Sequence, residues 1–240
     1  MVVVAEEPPR RSRPAERVPP HGSTRRRPGS IRLTPIRRRR LWDTATVLIL
    51  VRHGRTPANA AGLLQGRLDQ VLDDIGQRQA IAVAEYVRTV CEVDAVVSSP
   101  LRRAHQTAAA FGLPIEFDER WLELAYGEYE GTPHSEVPAE VWRRWRENAH
   151  FTPQGGESLA TLDLRVRAAC DDLLQRATSE NVVVVSHVSP MKSAVAWALG
   201  VDVGISFNCH LDQAAVCRIA VRAGRPILQT FNETAALANS

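Results

Sequence analysis

Five apolar residues in a row, Val47 to Val51, run straight into Arg52-His53-Gly54 and then Thr56-Pro57, and no other stretch restricts the fold as tightly. A short aliphatic run rich in β-branched residues reads as a strand buried on both faces, as in a parallel sheet. An arginine and a histidine at its end lie where open α/β sheets place ligands, in the crevice beyond the carboxyl ends of the strands. Thr56 followed by Pro57 is the pattern of an N-cap and a first-turn proline, so a helix is expected to start there.

The same junction recurs twice. In VDAVVSSPLRRAHQT a strand over Asp94 to Val97 gives way to Ser99-Pro100, with Ser99 expected as N-cap and Arg102 and Arg103 in the first turn. In NVVVVSHVSPMKSAV a strand over Val182 to Val185 is followed by His187, and Ser189-Pro190 opens the next helix. Three strand ends thereby bring two histidines and two or three arginines to one edge of one sheet. Cations, imidazoles and helix N-termini converging on one point describe a site for an oxyanion, and phosphate is the natural occupant.

These segments carry a resemblance. The ordered series LVRHGRTPAN, QGRLDQVLDDIGQRQA, SSPLRRAHQTA, WLELAYGEYEG, PQGGES and VVSHVSPM is similar to the histidine phosphatase superfamily, the phosphoglycerate-mutase-like proteins, from about Thr46 to Phe231. The resemblance implies an α/β fold, a three-layer α/β/α sandwich with a mostly parallel central sheet. It implies His53 as nucleophile, Arg52 and Arg103 as phosphate-binding arginines, Glu123 as the acid, His187 as the second histidine and Asn59 as a further phosphate contact. Gln65 and Arg67, in a glycine-bearing loop, are candidates to reach the ligand. Where most relatives have glycine after the second histidine this chain has Val188, whose backbone N–H remains a candidate phosphate contact while its branched side chain narrows the room. His-Val-Ser-Pro-Met and the ending FNETAAL are similar to actinobacterial acid-phosphatase domains, and α-ribazole phosphatases share the core motifs.

The implied activity is hydrolysis of a phosphomonoester through a phosphohistidine, on a small phosphorylated metabolite, with no metal or other cofactor. A mutase moving phosphate between positions of phosphoglycerate is the alternative, although the short path from Glu123 to Gly155 leaves little room for an enclosing insertion. Four carboxylates, Glu119, Glu123, Glu128 and Glu130, are chemically equivalent candidates for the acid, and only the family spacing selects Glu123. Arg102 and Arg103 are about 100° apart on a helix, so one of them faces the site; the family pattern selects Arg103.

Composition separates two regions. Residues 1 to 40 hold twelve arginines and three glutamates, a local charge of +9, whereas the whole chain carries +3, so residues 41 to 240 carry −6. Residues 1–44 read as a disordered Arg/Pro-rich tail and 45–240 as the catalytic domain. A nucleic-acid-binding arm is the alternative reading of the tail, and a solvated extension is preferred because no aromatic residue interleaves the arginines. No apolar run approaches the roughly 18 residues of a membrane span, so a cytoplasmic protein without membrane contact is expected, with a homodimer compatible. The four cysteines are scattered without metal-ligand spacing and read as reduced thiols.

Overall fold

The computed structural model describes residues 46–234. The expectations for the tail, residues 1–44, lie outside the described residues. Six strands form one sheet in the order β3-β2-β4-β1-β5-β6. They are β1 (Val47–Arg52), β2 (Ala95–Ser98), β3 (Ile115–Phe117), β4 (Val182–Ser186), β5 (Val216–Arg222) and β6 (Arg225–Glu233). The first four run parallel, and β5 and β6 are antiparallel additions.

All six residues of β1 are buried, as a continuous aliphatic run requires when both faces of a sheet are covered. One covering layer is α5 (Leu159–Arg176) with α6 (Val188–Leu199), whose Leu162, Val166, Ala169, Met191 and Ala194 pack against Leu48, Leu50 and Val184. The other is α2 (Asp74–Val90) with α3 (Arg102–Ala109), whose Val83, Ala84, Val87 and Ala104 meet Ile49, Val51 and Val185. The layers are those expected of an α/β/α sandwich. Ile81 departs from the expected packing stripe of α2 and is exposed.

Register sets the site. Arg52 of β1 is opposite Ser186 of β4, and Ser98 of β2 is opposite Val185, so three neighbouring parallel strands end at the same level. The helix starts differ in detail from the sequence expectation. The one-turn α1 (Pro57–Ala60) is capped by Thr56 in a reciprocal capping box with Asn59, as the Thr-Pro pair implies. By contrast α3 begins at Arg102 after Leu101, with no side-chain cap, and the Ser99 hydroxyl is paired with His187 Nε2. Helix α6 begins one residue after His187, at Val188, and not at Ser189-Pro190. Only β6 is an edge strand of the C-terminal pair, since β5 pairs with β1 as well.

The strand end and the start of α2 meet through glycines. A Cβ on Gly54 would lie 2.4 Å from the Gly76 carbonyl oxygen, and one on Gly76 would lie 2.0 Å from the Arg55 carbonyl oxygen. Backbone therefore packs directly on backbone behind the Arg-His-Gly corner. Among the described residues no helix is long and apolar enough to cross a membrane. Nor, among them, does any group of three or more His, Cys, Asp or Glu residues stand where it would hold a metal ion.

Candidate active site

His53 follows the last residue of β1, tied into the sheet by its N–H, which donates to the Ser186 carbonyl at 3.0 Å. Its Nδ1 lies 2.7 Å from the Gly54 carbonyl oxygen. A carbonyl can only accept, so the hydrogen-bond network assigns the proton to Nδ1 and leaves the lone pair on Nε2. Burial, followed by the charges of Arg103 and Arg52, holds the imidazole well below its ordinary pKa of 6.5. The ring is neutral at neutral pH, with its basic nitrogen turned away from the backbone.

Arg103 is 1% exposed and fixed at every nitrogen. Its Nη1 donates to the Leu68 carbonyl at 2.8 Å and its Nη2 to the Gly66 carbonyl at 2.6 Å. Its Nε–H is shared between His53 Nε2 at 3.3 Å and His187 Nδ1 at 3.2 Å. Burial brings the guanidinium down to about 10, which still leaves it charged near neutrality. The loop that was expected to offer the Arg67 side chain to the ligand instead offers carbonyls to Arg103. Arg67 itself turns to Glu157, at 3.2 Å.

The two imidazoles are 5.1 Å apart between ring centroids. His187 nonetheless stands behind the site. It is fully buried, both its nitrogens are engaged, and it does not bound the cavity that His53 bounds. With Nδ1 accepting from Arg103, the proton is on Nε2, which donates to Ser99 Oγ at 2.8 Å. His187, the second histidine that the resemblance implies, accepts from Arg103 and holds it in this arrangement. Its own pKa lies well below 6.5, through burial first and then the Arg103 charge.

Arg52 sends Nη1 to the Leu211 carbonyl at 2.5 Å, while its Nε is buried without a hydrogen-bond partner. Gln65 accepts from the Thr56 hydroxyl at 3.1 Å through Oε1, and its Nε2 is likewise buried and unpartnered. Both residues bound a cavity of about 260 Å³ that also reaches His53, Asn59, Arg103 and Glu123. Buried donors without acceptors cost free energy unless a ligand supplies the oxygens. Two of them beside two guanidinium groups describe a place prepared for an oxyanion.

Glu123 faces the cavity with its carboxylate gripped by backbone rather than set against an apolar wall. Oε1 accepts from the N–H groups of Leu124 at 2.8 Å and Ser189 at 3.1 Å, and Oε2 accepts from Val188 at 3.1 Å. The start of α6 therefore serves the carboxylate. The Val188 N–H, a candidate phosphate contact on sequence grounds, donates to Glu123 in this structure. Asn59 bounds the cavity, but its Oδ1 accepts from the Thr56 N–H and competes with Gln65 Oε1 for the single Thr56 hydroxyl proton. Arg102 is exposed, as the choice of Arg103 implies, and Arg55 is paired with Asp73 at 2.7 Å.

Several contributors were not legible from sequence. Arg165 of α5 donates to the carbonyls of Arg120 and Leu122 at 2.7 Å each and pairs with Glu157 at 2.8 Å, which clamps the segment carrying Glu123. Trp142 of α4 (Ala139–Glu147) is partly exposed and bounds the cavity together with His134, Lys192 and His210. Lys192 has one available signal, its helical i,i+4 spacing from Val188.

Residues 48–234 match the profile of the histidine phosphatase superfamily, branch 1. A bifunctional protein of Mycobacterium tuberculosis is 36% identical over 180 residues, a span that covers 72% of this chain and 50% of that protein, so the chain matches about half of its length. Phosphoserine phosphatase 1 of Hydrogenobacter thermophilus is 34% identical over 195 residues, covering 78% of this chain and 92% of that enzyme. The solved structure of a phosphoserine phosphatase from Entamoeba histolytica in complex with phosphoserine superposes with a TM-score of 0.73 at 28% identity, covering 80% and 99% of the two chains.

Proposed function

The chain belongs to the histidine phosphatase superfamily, branch 1, and from that membership we propose that it hydrolyses small phosphomonoesters through a phosphohistidine on His53. The observation that carries the reading is the His53 tautomer. Its proton is committed to Gly54, and its Nε2 lone pair, which accepts from Arg103 Nε at 3.3 Å, belongs to a residue bounding the cavity walled by Arg52 and Arg103.

In the first step Nε2 attacks phosphorus in line, the bond to the ester oxygen breaks, and Glu123 in its acid form protonates the departing alkoxide. In the second, the Glu123 carboxylate takes a proton from water as the water attacks phosphorus. The phosphorus–nitrogen bond breaks, and phosphate and neutral His53 are restored. Arg52 and Arg103 hold the non-bridging oxygens, where charge accumulates at the transition state. Gln65 Nε2 and Arg52 Nε supply the two donors that lack acceptors. His187, through Ser99 behind it and Arg103 in front, keeps the guanidinium in place. Mutase chemistry has less support, since the segment between Glu123 and Gly155 holds a 3-10 turn and the short α4 and carries no enclosing insertion.

Mixing the protein with a ³²P-labelled monoester and quenching in alkali, where phosphohistidine survives, tests the reading. Label is expected on wild type and absent from His53→Ala. Steady turnover with no label on the wild-type protein would overturn it, and isomerisation of phosphoglycerate in place of phosphate release would transfer it to the mutase class.

A further inference from the structure

A second cavity, of about 220 Å³, opens beside the first and shares Tyr126, Trp142, Val188 and Lys192 with it. Its walls are apolar, made by Leu124, Leu159, Trp142, Trp145 and the half-exposed Phe207. Trp145 is fixed by edge contacts with Tyr126 at 5.5 Å and by Trp142 at 5.3 Å between centroids, so this aromatic wall is rigid. An apolar cavity on the order of 150 Å³ accepts a benzene ring, so this one has room for a substituted ring.

Three donors belong to residues on the same walls, and two of them lack acceptors. Ser206 Oγ and Trp145 Nε1 are buried without a hydrogen-bond partner, in residues 7% and 3% exposed. Lys192 Nζ donates to the Ser206 carbonyl at 2.9 Å, which leaves two of its three N–H bonds, and among the described residues it forms no ion pair with a carboxylate. An ammonium group, a hydroxyl and an indole N–H on an otherwise apolar wall match a ligand that is flat and apolar over most of its surface and bears an anionic acceptor.

We propose that this cavity is the leaving-group subsite, and that it selects phosphomonoesters of alcohols with an apolar ring bearing a carboxylate, received by Lys192 and Ser206. The inference rests on the hydrolase reading above, since only there does the alcohol portion of the substrate extend from the phosphate cavity. An alcohol carrying an ammonium group is disfavoured, because that group would face the Lys192 ammonium on the cavity wall.

The test compares benzyl phosphate, 4-(phosphonooxymethyl)benzoate and phosphoserine as substrates of the full chain. Wild type is expected to favour the carboxylate-bearing benzyl ester over benzyl phosphate by about tenfold or more in kcat/KM, and Lys192→Gln to bring that ratio close to one. Should Lys192→Gln misfold, Ser206→Ala serves the same comparison, with a smaller expected drop in the ratio. Equal kcat/KM for the two benzyl esters, a ratio unmoved by either substitution, or a preference for phosphoserine over both would overturn the proposal. Titration of tryptophan fluorescence with benzoate separates the two readings. Saturable quenching that Lys192→Gln weakens, in a protein that hydrolyses none of the esters, would keep the subsite and remove the hydrolase; turnover without such quenching would do the reverse.

Discussion

At the scale of single residues, protonation states carry the chemistry. His53 and His187 are both neutral because burial and the neighbouring guanidinium groups oppose an added proton, with pKa values well below 6.5. For His53 the neutral form is the attacking one, so kcat/KM is expected to hold as the pH falls through 6.5 and to decline only in more acidic solution. A profile whose acid limb is centred at or above 6.5 would contradict this. Stability moves the other way. The unfolded chain takes up protons on both imidazoles below 6.5 that the native state refuses, so unfolding free energy is expected to fall as the pH drops from 6.5 toward the native values. Urea titrations at intervals between pH 8 and 5 read the slope, which His187→Gln is expected to reduce. Glu123→Gln is expected to lower kcat on alkyl phosphates by about 100- to 10,000-fold, and by far less on p-nitrophenyl phosphate, whose leaving group departs without a proton. Equal losses on both substrates would assign Glu123 a role other than proton donor.

At the scale of elements, two contacts hold the catalytic corner. The first is the backbone approach of Gly54 to Gly76, where an added methyl meets a carbonyl oxygen at 2.4 Å. Gly54→Ala is expected to destabilise the fold by about 1–3 kcal/mol and to lower kcat as well, because the strand end and α2 must separate beside His53. Thermal or urea unfolding with parallel kinetics measures both; an unchanged midpoint would show that the corner yields at no cost. The second is Arg165, which ties α5 to the carbonyls of Arg120 and Leu122 just before Glu123. Its replacement by alanine is expected to lower kcat by about 10- to 100-fold, since the carboxylate's position depends on that clamp. A loss confined to stability would place Arg165 outside the positioning of Glu123.

At the scale of the whole molecule, charge is unevenly distributed along the chain. Residues 1 to 40 carry +9 and residues 41 to 240 carry −6. Among the described residues the cavity is bounded by side chains between Arg52 and Leu211. Deleting residues 1 to 40 is therefore expected to leave kcat/KM on a small phosphomonoester within about twofold, while binding to an anionic column weakens because the deleted arginines are the dense positive run. A large fall in kcat/KM on truncation would give the arginine segment a part in the reaction.

What the sequence determined by itself was the three parallel strands that end at the site and the identity of the groups at their ends. Continuous aliphatic runs at Val47–Val51 and Val182–Val185 can be stable only inside a covered parallel sheet, and the residues that terminate them then emerge at its carboxyl edge. Tertiary structure alone decided which partner each polar atom takes. Ser99 was paired with His187, and the N–H groups of Val188 and Ser189 went to Glu123. His187 was placed behind Arg103, and Lys192 and Ser206 were brought onto an aromatic wall. Strand formation follows from the periodicity of nearby residues, whereas these pairings join groups tens of residues apart. Their geometry exists only after the layers have packed and buried polar atoms must each find a partner or await a ligand.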